Sequence, residues 1–128
     1  MTVRVVRLGA PRTAGEGLRI GTVRRPPRGV PKGDYASQDW YDVWLPNLSP
    51  SPTTLALGRA AATEREWTRF LKRFRSEMDA ADNRRMLDVL AALSHQTDFS
   101  VGCYCADESR CHRSVLRAML EERGAKME

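Results

Sequence analysis

With 128 residues, 41% of them hydrophobic and 29% charged, the chain has the size and balance of one globular domain with a real core. No apolar run approaches the roughly 20 residues a membrane-spanning helix needs, and Met1 to Gly9 alternates charged with apolar residues where a signal peptide has a continuous apolar stretch. The 21 Lys and Arg against 16 Asp and Glu, a net charge of +5, suit an anionic small molecule, a nucleotide or nucleic acid, and the three cysteines, without an export signal, read as reduced thiols of a cytoplasmic protein.

Val3 to Leu8 alternates Val3 and Val5 with Arg4 and Arg7, the pattern of a strand. Gly9 to Gly17 is a Gly, Pro and Thr loop. Leu18 to Val23 is a second strand. It runs into Arg24-Arg25-Pro26-Pro27-Arg28-Gly29-Val30-Pro31-Lys32, where the prolines forbid regular structure and leave a rigid basic loop. Trp40/Trp44 and Tyr41/Leu45 fall at helical spacing, so Asp39 to Leu48 is predicted as a short helix with its aromatics in the core. Ser49-Pro50-Ser51-Pro52 ends it and can open the next helix, since proline suits the first helical position.

Thr63-Glu64-Arg65-Glu66 is a capping box, and Trp67, Phe70, Leu71, Phe74 and Met78 behind it form one apolar stripe. Asp82 or Asn83 is the predicted start of a further helix packed through Met86, Leu87, Val89, Leu90 and Leu93. Phe99 to Tyr104 is the clearest strand. Its alternation puts Phe99, Val101, Cys103 and Cys105 on one face, with Gly102 permitting a close approach on the other. Val115, Leu116, Met119 and Leu120 mark a last helix, with Gly124 as its cap. These elements predict a single α/β domain over residues 1–128. A small, mostly parallel sheet is flanked by helices on both faces in three layers.

The segment Cys105-Ala-Asp-Glu-Ser-Arg-Cys111-His112-Arg113 joins a strand to a helix opened by Cys-His-Arg. Upstream stand Arg28-Gly29-Val30 with Lys32, Trp44-Leu45 with Pro50-Ser51, and the basic amphipathic stretch Trp67 to Arg75. In that order these features resemble domain-of-unknown-function family 488, the YeaO-like group. Pro26 and Pro27 stand where that group often has a tryptophan. The resemblance implies the fold and leaves the activity open.

The cysteine-bearing stretch holds the candidate chemistry. A thiolate needs a helix N-terminus or a nearby cation. Cys111 is placed at such a terminus beside His112, and Cys105 at the strand's carboxyl end, so Cys105, Cys111 and His112 are the candidate catalytic residues. Arg24, Arg28 and Lys32 follow the second strand; Arg110 and Arg113 follow the last. If those strands are parallel neighbours, both sets meet at one sheet edge and form an anion-binding crevice with the helix amides. A metal is not expected: adjacent Cys111 and His112 on a helix diverge by about 100°, and Cys103 and Cys105 on an extended strand lie roughly 6 to 7 Å apart. No cofactor is expected. Cys103 reads as core, and His95 as ordinary surface. The readings that follow are a small Cys-dependent enzyme acting on a phosphate- or carboxylate-bearing substrate, a non-catalytic nucleotide- or nucleic-acid-binding module with structural thiols, and a redox sensor pairing Cys105 with Cys111.

Overall fold

The computed structural model describes all 128 residues. Strands β1 (Val3–Arg7), β2 (Leu18–Gly21), β3 (Val43–Trp44) and β4 (Phe99–Cys103) form one sheet in the order β1-β4-β2-β3, every neighbouring pair parallel. Helices α1 (Pro52–Ala60), α2 (Glu64–Met78) and α3 (Ala81–Leu93) lie between β3 and β4 in the chain, and α4 (Arg113–Glu122) follows β4. The protein is a single α/β domain. No helix is long and apolar enough to cross a membrane.

β4 is buried at all five positions because it lies between β1 and β2. Its side chains sort by parity. Phe99 and Val101 join Val3 and Ile20 in one cluster with Phe74 and Met78 of α2, Leu87 and Leu90 of α3, and Leu116, Met119 and Leu120 of α4. Truncating a buried residue of this kind costs about 2 to 5 kcal/mol. The opposite face is different. Ser100, Arg19, Gly21 and Gly102 point there, and a methyl group on Gly21 would stand 2.4 Å from the Tyr41 ring, one on Gly102 2.5 Å from Leu8. Polar side chains and closely approached glycines offer no apolar stripe for a helix to cover. The expected second helical layer is therefore a layer of loop: Leu8 and Tyr41 lie over the glycines, and Arg19 pairs with Glu16.

The helix signals read from the sequence hold in detail. Ser51 caps α1, with Pro52 at its first position. Glu77 of α2 accepts from the Ser51 amide and hydroxyl and from Thr54 Oγ1, which fixes α1 against α2. Thr63 accepts from the Glu66 amide at 3.1 Å and Glu66 reaches back to the Ala62 amide at 3.3 Å. At the end of α4, Gly124 has φ +77°; its amide donates to Glu121 and the Ala125 amide to Leu120, a Schellman motif. One start differs: Ala80 opens α3, and Asn83 donates to the Glu77 carbonyl instead of capping.

The segment Asp39 to Leu48 is not a helix. It is a turn, the two-residue β3 and a 3-10 turn over Pro46–Leu48. The sheet edge claims its backbone: the Asp42 amide donates to the Arg19 carbonyl and the Leu45 amide to Gly21, while the Asp42 carboxylate takes the Arg19 amide and the Arg12 guanidinium. Pro46 would in any case stop a helix begun at Asp39 after about two turns. Tyr41 is core as predicted, whereas Trp44 stays 43% exposed with its indole N–H on the Val23 carbonyl.

Candidate functional site

β2 and β4 are adjacent and parallel, so the residues that follow them emerge at the same edge of the sheet. Between the two exits lies a cleft of about 320 Å³. Arg24 and Arg25 come to it from the β2 side, Cys103, Cys105, Arg110, Cys111 and His112 from the β4 side. Its outer wall is α1 and α2, through Arg59, Trp67 and Phe70. Arg24 is clamped by the Ser49 and Pro50 carbonyls, each 3.0 Å away. Arg110 lies over the Trp67 ring, 4.5 Å from its centroid, beside Glu64.

The three cysteines converge. Cys103 ends β4 and is buried. The strand stops there, so Cys105 does not continue the alternation: its sulfur returns to 3.8 Å from that of Cys103, and the residue is exposed. Cys111 is buried, in extended backbone (φ −140°, ψ 155°), and His112, as the α4 cap residue, is already helical (φ −59°, ψ −17°). That change of backbone between neighbours overturns the divergence expected of two helical residues. Cys111 Sγ lies 3.6 Å from His112 Nδ1, and Cys103, Cys111 and His112 present ligand atoms all within 4.8 Å of one another.

The tautomer of His112 follows from its other nitrogen. Nε2 lies 2.7 Å from the Thr22 carbonyl, which can only accept, so Nε2 carries the hydrogen and Nδ1 offers its lone pair to the thiols. The Phe74 ring packs edge-on against the imidazole. The thiols are pushed apart electrostatically. A hydrogen bond from Cys103, then Cys111 and the positive charge of Arg113, push Cys105 down to about 3. Cys103 is pushed up as the donor to Cys105 and Cys111 and by its burial. Cys105 is thus the exposed thiolate and Cys103 the buried thiol that keeps its proton.

The predicted cations separate. Arg24 and Arg110 line the thiol cleft, and Arg28 lines a neighbouring groove of about 700 Å³ with Arg7, Arg25 and Arg59. Lys32 sits exposed in a 3-10 turn and lines neither. Arg113 turns inward: it is buried and donates to the Val6 and Cys105 carbonyls, tying the start of α4 to β1 and to the turn after β4. It holds the Cys105 backbone in place of an external anion, and its Nε has no partner. Asp107 caps its own turn through Ser109, Glu108 pairs with Arg117, and neither acid lines the cleft. Sequence reasoning missed Arg59 and the Thr22 carbonyl. Nothing local marks either, since both reach the site through packing.

No curated protein and no solved structure matches the chain. Residues 3–124 match the family described as DUF488-N3a, the active DUF488-N3 subclade, in keeping with the motifs around Arg28 and Cys105 to Arg113. The chain therefore belongs to the DUF488-N3a family.

Proposed function

We propose that Cys105 is a nucleophile acting on a phosphate- or carboxylate-bearing small molecule held in the arginine-rimmed cleft. One observation carries this reading: the single exposed thiol of the three stands in that cleft, with the buried Cys103 thiol 3.8 Å away as its hydrogen-bond donor. Arg25 and Arg59 are exposed, form no ion pair, and lie where they can meet an anion. In the reaction the Cys105 sulfur bonds to the electrophilic atom and the leaving group departs with its electron pair. His112 is a positioning residue, its Nδ1 directed at Cys111. The family's description as an active subclade agrees with an enzymatic role.

Alkylation of chelator-treated protein tests this. At pH 6.5 an ordinary thiol is only about 1% ionised. Iodoacetamide should modify Cys105 first, faster than free cysteine, and inorganic phosphate should slow it. If no cysteine outpaces the free amino acid, the nucleophile is lost; if phosphate has no effect, the anion cleft is lost. The groove with Arg7, Arg25, Arg28 and Arg59 favours a second reading, a nucleotide- or nucleic-acid-binding module. Oligonucleotide affinity that falls steeply with salt, in a protein without fast alkylation, would select it.

A further inference from the structure

The geometry points to a tetrahedral centre for a thiophilic divalent metal ion of the zinc class, held by the sulfurs of Cys103, Cys105 and Cys111 and by Nδ1 of His112. It shares the cleft of the proposed function and does not depend on the nucleophile. Zinc bonds of about 2.3 Å to sulfur and about 2.05 Å to nitrogen make tetrahedral edges of about 3.8 Å between sulfurs and about 3.5 Å from sulfur to nitrogen. The Cys103 and Cys105 sulfurs are 3.8 Å apart, and Cys111 Sγ is 3.6 Å from His112 Nδ1. The largest separation within the buried triad is 4.8 Å. It closes to a tetrahedral edge by about 1 Å, within the reach of a side-chain rotation.

The imidazole is oriented as a ligand. Its Nε2 hydrogen is on the Thr22 carbonyl, leaving Nδ1 free, which is the usual outer-shell arrangement of a metal-bound histidine. Thr22 is itself pinned: its amide and hydroxyl both donate to the Gly102 carbonyl, one residue before Cys103. The support and a ligand therefore belong to one rigid strand end. Two buried thiols, Cys103 and Cys111, packed merely as small hydrophobes would leave that lone pair with a thiol as its one partner, in a histidine that is only 5% exposed.

On coordination every cysteine that still carries a proton gives it to solvent, Cys105 being already a thiolate, and no electron changes hands. Three thiolates around a divalent ion carry one net negative charge. Arg113, donating to the Cys105 carbonyl at 2.7 Å, lies beside it. Cys103, Cys111 and His112 are buried while Cys105 is exposed, so Cys105 is the ligand that can leave. The metal-bound form holds it as a ligand and silences it as a free nucleophile.

Cobalt(II) titration of the metal-free, reduced protein tests the centre. One equivalent should produce sulfur-to-cobalt charge transfer and the intense visible bands of a tetrahedral site. Zinc should displace the cobalt, and either metal should slow Cys105 alkylation at least tenfold. Cys111→Ser should weaken cobalt binding by more than the roughly 100-fold that outer-shell changes reach. Because Cys111→Ser alters a buried residue, X-ray absorption of the zinc-loaded intact protein gives an independent count. Three sulfur and one nitrogen neighbours at about 2.3 and 2.05 Å are expected. Absence of the thiolate spectrum, a spectrum indifferent to Cys111→Ser in folded protein, or fewer than two sulfurs overturns the centre. Fast alkylation without a cobalt spectrum removes only the metal, and a cobalt spectrum without fast alkylation removes only the nucleophile.

Discussion

Two buried polar clusters lie along β4, and they are built to opposite rules. At Ser100, on the loop-covered face, Arg19 gives Nε and Nη2 to the two Glu16 oxygens, and its Nη1 to the Ala10 and Asp39 carbonyls. Ser100 adds its hydroxyl to Glu16. Every charged group there is paired, and Glu16 and Arg19 are 2% and 1% exposed. At the strand's carboxyl end, three thiols share one proton-donor network, a histidine lone pair meets only sulfur, and Arg25 and Arg59 have no carboxylate partner. A saturated network can only hold the fold together; an open one can still take a ligand. The difference separates structure from chemistry within a span of four residues.

Breaking each cluster should show that difference. The largest effect is expected from Glu16→Gln. It leaves the Arg19 guanidinium buried without its counter-charge, and urea unfolding should show a loss of about 3 to 5 kcal/mol. A loss under about 1 kcal/mol would mean that the pair contributes little. The same pair has a pH signature. Burial would raise the Glu16 carboxyl, but bonds from Arg19, Ser100 and Thr13 outweigh it and hold the group below its ordinary value. Its contribution is therefore complete above about pH 4.3 and is lost as pH falls through the lower folded value. Urea midpoints at acid pH should fall less steeply in Glu16→Gln than in the wild type.

At the other cluster, His112→Ala orphans the Thr22 carbonyl and should cost about 1 to 3 kcal/mol in thermal unfolding, while abolishing the cobalt spectrum. Equal loss of stability with the spectrum retained would assign the metal ligand elsewhere. Arg59→Ala should leave unfolding unchanged and weaken phosphate protection of Cys105 by about two- to fivefold, the worth of one exposed charge contact. Small in stability too is Cys105→Ser, expected within about 0.5 kcal/mol of wild type because the side chain is exposed. It should nonetheless remove the fast alkylation entirely. A large destabilisation there would place Cys105 in the structural network.

Much of this was legible in the chain. The capping box at Thr63, the Ser51-Pro52 start, the Gly124 stop and the buried run Phe99 to Cys103 are local patterns that the backbone obeys wherever they occur. The convergence of the Arg24 and Cys105 segments followed from one condition, parallel neighbouring strands, which holds for β2 and β4. The Trp40 to Leu45 spacing misled because backbone bonds to the β2 edge outweigh a helical pattern too short to nucleate. Arg113 misled because its charge is visible in sequence while the Val6 and Cys105 carbonyls that take its hydrogens are brought to it only by the fold.

Periodicity and caps by themselves determined β1, β2, β4, the helices α2 to α4 and the α/β class, since each depends on neighbours within a few residues. Tertiary structure alone decided which face of the sheet carries helices, because that rests on the close approach of Tyr41 and Leu8 to Gly21 and Gly102. It also decided that Cys111 and His112 converge: an extended residue followed by a helical one turns two neighbouring side chains into one site.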